Sequence, residues 1–159
     1  MTITRSAIAH MAIREFMSTF VITIQPFETV ARAFEIMSVN RIRHLPVKHD
    51  ERLVGIITWT DVLELKSPDP GHRFSLGEVA KSLEALTVST VMTRDLITAH
   101  PTQPLGYAAD LMLEHKVGSL PVLDSEQQLV GLVTESNIFR TIARRWRDDN
   151  EIFSGAKRP

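Results

Sequence analysis

Apolar and polar positions alternate along this chain in one pattern that is written twice. In the first copy, Ile8, Met11, Ala12 and Phe16 have the spacing of one face of a short helix. Val21, Ile22, Thr23 and Ile24 read as a β-branched strand stopped by Pro26. Thr29 can cap a helix in which Val30, Ala33, Phe34 and Met37 recur at helical spacing. Leu45, Pro46 and Val47 form an extended segment, residues 48–52 a polar hairpin turn, and residues 53–57 a buried return strand. A last helix over residues 61–66 ends before Ser67, Pro68, Asp69, Pro70 and Gly71, a run that breaks regular structure.

The second copy predicts the same elements. Its leading helix is longer, with Ser75 and Glu78 as a capping box and Val79, Leu83 and Leu86 on one face. Leu96, Ile97, Thr98 and Ala99 form the strand, and Leu105, Ala108, Ala109 and Met112 line the next helix. Residues 120–122 and 129–133 make the hairpin. A closing helix over about residues 136–147 carries Ile138, Ile142 and Trp146 at i, i+4 and i+8. The copies correspond residue by residue: Phe16, Met17 and Ser18 answer Val91, Met92 and Thr93, and Pro26 answers Pro101. Leu53, Val54 and Gly55 answer Leu129, Val130 and Gly131, after a one-residue slip that the hairpin turn can absorb. Each copy is helix, strand, helix, hairpin, helix: a three-stranded sheet too small to bury a core alone but sufficient in a pair. The expected layout is a first repeat over 8–66, a connector over 67–85, a second repeat over 86–147 and a polar tail over 148–159. The connector is a candidate contact for a partner or a second subunit as well as a simple link.

Composition narrows the function classes. A length of 159 residues suits one domain or two small halves. The formal net charge of -1 makes no general case for nucleic acid or an anionic membrane. There are no cysteines, so no disulfide framework and no zinc–thiolate site. No apolar run approaches the ~18–20 residues that span a bilayer, and residues 1–5 do not read as a secretory signal; a soluble, cytoplasmic protein is expected. The six histidines show no metal-ligand spacing, and no nucleophile, general base or phosphate loop stands out, so the chain is not read as an enzyme. Arg140, Arg144, Arg145 and Arg147 beside Trp146 can contact a single-stranded nucleic acid. The reading preferred is that Phe139, Ile142 and Trp146 bury one helix face while the arginines stay in water.

Two segments carry the candidate chemistry, residues 55–61 and 131–137. Each leads a buried strand into a helix, with Thr58 or Thr134 at the start and Asp61 or Asn137 three residues on. That is the spacing of a capping box. It also suits a nucleotide: helix N-terminal amides and a Thr hydroxyl attract phosphate, and a carboxylate accepts from both hydroxyls of a ribose. Spacing does not separate the two readings; recurrence behind Leu-Val-Gly in both copies favours function.

The string Arg43, His44, Leu45, Pro46, Val47, then residues 53–58, Asp61, Val62 and Leu63, resembles a cystathionine β-synthase (CBS) domain, as do residues 119–122 with 129–134. The resemblance covers residues 11–144, and two such domains in tandem resemble a Bateman module. It implies an α/β fold (α+β by some schemes) of two β-α-β-β-α repeats packed as a pseudo-two-fold pair. It implies a regulatory ligand in a cleft between the repeats: AMP, ADP, ATP or S-adenosylmethionine. By analogy Thr58 contacts phosphate, Asp61 the ribose, and Ile22 and Thr23 flank the adenine, joined by Arg43, His44, Leu45 and Pro46. A homodimer and an unidentified partner protein that reads the ligand state are also implied. The alternative is a ligand-independent structural or interaction module.

The second copy departs from this pattern. Asn137 replaces the acid, which weakens a ribose hydrogen bond by about 1 kcal/mol. Glu135 puts negative charge where phosphates would lie, and Gly118 and Ser119 replace Arg43 and His44. One competent site is therefore expected on the Thr58/Asp61 side, with a weaker one at Ile97, Thr98, Ser119, Leu120, Thr134 and Asn137.

Overall fold

Two helices that close in the same way organise the chain. Helix α1 (Val30–Asn40) is capped by Thr29, whose Oγ1 accepts from the Arg32 amide at 3.1 Å, and buries Val30, Ala33 and Met37. It ends at Arg41 in the left-handed region (φ 54°), so that the Ile42 amide reaches back to the Met37 carbonyl at 3.0 Å. The hairpin β1 (His44–His49) and β2 (Arg52–Thr58) follows, then α2 (Trp59–Lys66), α3 (Leu76–Ala85) and the single turn α4 (Val88–Val91). The second copy has α5 (Leu105–His115), which ends at left-handed Lys116 (φ 55°), then β3 (Ser119–Leu123), β4 (Leu129–Thr134) and α6 (Glu135–Phe153). This computed structural model describes residues 11–66 and 76–153, with side chains described at 11–65 and 81–147. The expected capping box at Ser75 and Glu78, and Ile8 and Val79, therefore lie outside what is described.

Three expectations are corrected. The leading helix of the first copy is only a 3₁₀ turn, Ile13–Glu15. The closing helix α6 runs on to Phe153. The strands expected at 21–24 and 96–99 each shrink to one residue beside the hairpin. Ile24 bridges to β1 in parallel, through its amide to the Pro46 carbonyl (3.1 Å) and its carbonyl to the Lys48 amide (2.9 Å). Ala99 does the same with Pro121 and Leu123, both at 2.9 Å. Prolines explain the truncation. The next rung upstream needs an amide from Pro46 or Pro121, and the next rung downstream needs one from Pro26 or Pro101; proline has none.

Within the first hairpin, His44 pairs with Thr58, Leu45 with Ile57 and Pro46 with Ile56. A bulge between Val47 and Lys48 leaves Val54 as the extra residue. The longer second turn, between Leu123 and Leu129, takes up the one-residue slip between copies.

The compact units divide the chain differently from the repeats. One comprises Phe20–Leu96 with Ser125–Leu129; the other joins the chain up to Thr19 with Ile97–Asp124 and the chain from Val130 onward. The leading segment of each copy is thus built into the other copy's unit. Ile13 and Val88 are equivalent, and both are fully buried. Ile13 lies in a core with Ala99, Leu105, Ala108, Leu120 and Val133. Val88 lies in the other, with Val30, Ala33, Leu45, Ile57 and Val62.

The exchange is held at the return strands. Ser18 and Leu132 exchange two backbone hydrogen bonds at 2.9 and 3.0 Å, and Ile56 and Thr93 do so at 3.0 and 2.9 Å. The preceding methionine of each segment lies against the glycine of each return strand. A Cβ on Gly55 would lie 2.5 Å from Met92 Sδ and 3.0 Å from the Thr93 carbonyl oxygen. Gly131 stands in the same relation to Met17, with a built Cβ 2.9 Å from its Cγ. Neither glycine has positive φ, so both are required for space, not for backbone conformation. Gly55→Val should destabilise the protein by about 1–3 kcal/mol through overpacking. Part of that loss should be recovered in the Gly55→Val/Met92→Ala double variant, measured by denaturant unfolding.

Candidate functional site

The strand-to-helix corner of the first copy is a reciprocal hydrogen-bonded box. Asp61 Oδ2 accepts from the Thr58 amide at 2.7 Å and from Thr58 Oγ1 at 2.8 Å, while the Asp61 amide donates to Thr58 Oγ1 at 3.3 Å. The next amide, of Trp59, donates to the Arg43 carbonyl at 2.9 Å. The second copy repeats this atom for atom. Asn137 Oδ1 accepts from the Thr134 amide at 2.8 Å and from its hydroxyl at 2.7 Å, with the Asn137 amide to Thr134 Oγ1 at 3.3 Å. The Glu135 amide donates to the Gly118 carbonyl at 3.1 Å.

The capping reading is therefore realised in full in both copies. It also limits the nucleotide reading. The amides of Thr58, Trp59 and Asp61 are engaged by the protein itself, so the corner does not present them as a free anion cradle. The Thr58 hydroxyl proton is directed to Asp61, and donating it to a phosphate means releasing the box.

What separates the copies is the atom that the box leaves over. A carboxylate has two acceptor oxygens, and the box uses only Oδ2 of Asp61; Oδ1 can still accept from hydroxyls. In Asn137 only Oδ1 can accept the Thr134 amide, so the remaining group is an NH₂ donor. The first corner can receive the paired hydroxyls of a ribose. The second offers such hydroxyls a neutral donor in place of a charged acceptor.

Around the first corner, the hairpin register sets the half-buried His44 directly across from Thr58. Arg43 is exposed one residue earlier. Leu45 and Pro46 are buried, Leu45 completely, so these two can offer only backbone, and the Pro46 carbonyl already receives the Ile24 amide. Ile22 and Thr23 are half-buried just before that bridge. Trp59 stacks on Phe34 with ring centroids 4.9 Å apart and planes at 28°. The second copy has Ala109 and the exposed Glu135 at those positions, with Ile97 and Thr98 half-buried and Ser119 and Leu120 buried.

The expected burial of Phe139, Ile142 and Trp146 is not what α6 does: they are exposed at 68%, 48% and 61%. Among the described side chains of α6 the buried positions are Asn137 and Thr141, with Ile138 packed on the core. Polar side chains can occupy that face because each bonds within the helix start, Thr141 Oγ1 to the Asn137 carbonyl at 2.8 Å. The spacing of Asn137, Arg140, Thr141 and Arg144 is itself one helical face, a signal hidden by the stronger apolar one. Among the described residues no group of His, Asp and Glu is arranged to hold a metal ion, and no helix is long and apolar enough to cross a membrane.

Asp61→Ala should cost about 1–2 kcal/mol of stability, combining the lost cap with the lost charge at a helix start. Asp61→Asn, the residue already in the equivalent box, should cost less than about 1 kcal/mol. Thermal unfolding of the two variants checks the order.

Comparison with known proteins agrees with this geometry. The family model for the CBS domain matches residues 13–67 and 88–144. Protein MJ1225 of Methanocaldococcus jannaschii is 30% identical over 131 residues, 82% of this chain and 47% of that protein. Its crystal structure superposes with a TM-score of 0.72 at 28% identity, over 84% of this chain and 48% of that one. A homoserine O-acetyltransferase of Methanococcoides burtonii is 29% identical over 85% of this chain but only 25% of its own length. The chain thus spans half or less of these curated relatives. The CBS domain pair of protein MJ0100, solved with 5′-methylthioadenosine and S-adenosylmethionine, matches with a TM-score of 0.68 at 28% identity, over 85% of this chain and 98% of that one. CBSX2, a CBS-pair protein of Arabidopsis thaliana, solved with AMP, matches with a TM-score of 0.68 at 26% identity, over 84% of this chain and 96% of that one. With both repeats matched and the two capping corners superimposable in their bonding, this chain belongs to the CBS domain family and carries two CBS domains in tandem.

Proposed function

We propose that this chain is a regulatory module that binds one adenosine ligand at the Thr58/Asp61 corner and passes its ligand state to a partner protein. The observation that carries the reading is the second carboxylate oxygen of Asp61, an acceptor outside an otherwise closed box. The AMP complex of CBSX2 and the S-adenosylmethionine complex of the MJ0100 pair support the choice of adenosine. Asp61 Oδ1 accepts from the ribose hydroxyls without disturbing the cap. The adenine lies against Ile22 and Thr23, with the backbone of Leu45 and Pro46 at its edge. Arg43 and His44 face the phosphates of AMP, ADP or ATP, or the amino-acid part of S-adenosylmethionine; Thr58 joins them only by turning its hydroxyl away from Asp61. The corner at Thr134 and Asn137, with Ile97, Thr98, Ser119 and Leu120, is the weaker or empty counterpart.

Regulation then follows from population shift. A ligand with higher affinity for one conformation of the module raises its share, and a partner that prefers that conformation responds by the same coupling energy. The module acts as a homodimer in the cytoplasm and catalyses nothing itself. Phe27, Val39 and Leu63 in one unit, and Leu113, Phe139 and Ile142 in the other, are exposed apolar side chains that a second copy would cover. Light scattering on the purified chain should give twice the monomer mass.

A second reading has its own observation: because both boxes are complete, the corners can serve as caps and nothing more. Thermal unfolding with AMP, ADP, ATP, S-adenosylmethionine and GTP separates the two. An adenosine ligand at a hundredfold its dissociation constant should add ~2.7 kcal/mol, or roughly 5–11 °C. Calorimetry should count one Asp61-dependent equivalent per chain, and Asp61→Asn should reduce the shift by about 1 kcal/mol while retaining the fold. Absence of a shift with every ligand would leave the interaction module as the function.

A further inference from the structure

In the compact unit that does not contain the Thr58/Asp61 corner, the 3₁₀ turn and helix α6 line an open pocket of about 440 Å³. That volume is in the range of small-molecule sites. Its α6 wall carries Arg140, Arg144 and Arg145. Its other wall carries Met11 and Phe16, an apolar surface, together with Glu15. Glu15 is already used, since its Oε1 accepts the Ala12 amide at 3.0 Å. Among the described residues none of the three arginines makes an ion pair.

We infer that this cavity is a second ligand site, selective for a small organic phosphate whose body is apolar or aromatic. Three arginines line one space, and among the described residues that line it Glu15 is the one carboxylate; a bound anion supplies further negative charge. Guanidinium forks match the geometry of phosphate oxygens and bind them in pairs. The buried Asn137 at the cavity's edge contributes in the same sense. Its Oδ1 is fixed by Thr134, so it presents an NH₂ donor, which favours an anion and disfavours ribose hydroxyls acting as donors. The Asp-to-Asn difference between the copies thus turns an acceptor corner into a donor corner beside a basic wall. Met11 and Phe16 give the ligand's body a surface that inorganic phosphate cannot use.

The test is calorimetric titration of the full chain with phenyl phosphate and with inorganic phosphate, in the wild type, Arg140→Gln, Arg144→Gln and Asp61→Asn. Phenyl phosphate should bind one per chain, several-fold tighter than inorganic phosphate, and more weakly as salt rises. Each arginine substitution should weaken it about tenfold, and Asp61→Asn should leave it unchanged. The arginines are exposed, so both variants should unfold at the wild-type temperature, which confirms that lost binding is not lost structure. No saturable binding, equal affinity for the two phosphates, or binding lost with Asp61→Asn and kept in the arginine variants would overturn the assignment. So would tight binding of a single-stranded oligonucleotide without binding of phenyl phosphate. Failure of the adenosine reading is distinguishable, because it would appear as no thermal shift with any adenosine ligand while phenyl phosphate still binds in the wild type and in Asp61→Asn.

Discussion

The approach of a methionine to a strand glycine, made twice, is the constraint on which the rest of this molecule depends. Met92 lies on Gly55 and Met17 on Gly131, each secured by a pair of backbone hydrogen bonds one residue further on. These contacts dock each copy's leading segment beside the other copy's hairpin and occupy backbone groups that a two-stranded sheet would otherwise leave open at its edge. They also bring Ile13 and Val88 into their respective cores, where both are fully buried. Neither copy has its complete set of core residues within its own stretch of sequence. Cutting the chain at the repeat boundary would therefore divide both cores.

From those return strands the chain turns directly into a helix, and the corner has to be closed. The same three hydrogen bonds close it in both copies, with Thr supplying hydroxyl and amide and Asp61 or Asn137 supplying one oxygen. Structure and candidate chemistry share one side chain, so the spacing that suggested a nucleotide site is equally the spacing of a cap. They become separable only by counting which lone pairs the cap consumes. That count assigns an acceptor to the first copy and a donor to the second.

The asymmetry extends outward from that atom. The first copy backs its corner with the Phe34–Trp59 stack and places His44 across the strand from Thr58. The second replaces the stack with Ala109 and Glu135 and sets a basic cavity along α6. Duplication supplied two equivalent frames, and a few substitutions at equivalent positions gave them opposite hydrogen-bonding character. The two corners differ in this way without any change in their backbone plan.

Much of this was legible from the residues. Helical spacing located α1 and α5, Thr29 marked a true cap, the polar turn of the second hairpin absorbed the one-residue slip, and Thr58 and Asp61 are in contact as their spacing required. Those features depend on interactions within a few residues of one another, which is what periodicity and local motifs encode. Tertiary structure decided the rest. The strands at 21–24 and 96–99 were cut to single bridges because their neighbour offers a proline where an amide is needed, a fact about a pairing and not about either segment. The face of α6 was misjudged because Asn137 and Thr141 satisfy their polar groups locally and take the buried side, leaving Phe139 and Trp146 outside. The segment exchange was invisible for the most general reason: two similar copies offer each leading segment two comparable docking sites, and sequence similarity cannot distinguish the near one from the far one. Only the packing of Met17 and Met92 on the opposite glycines does that.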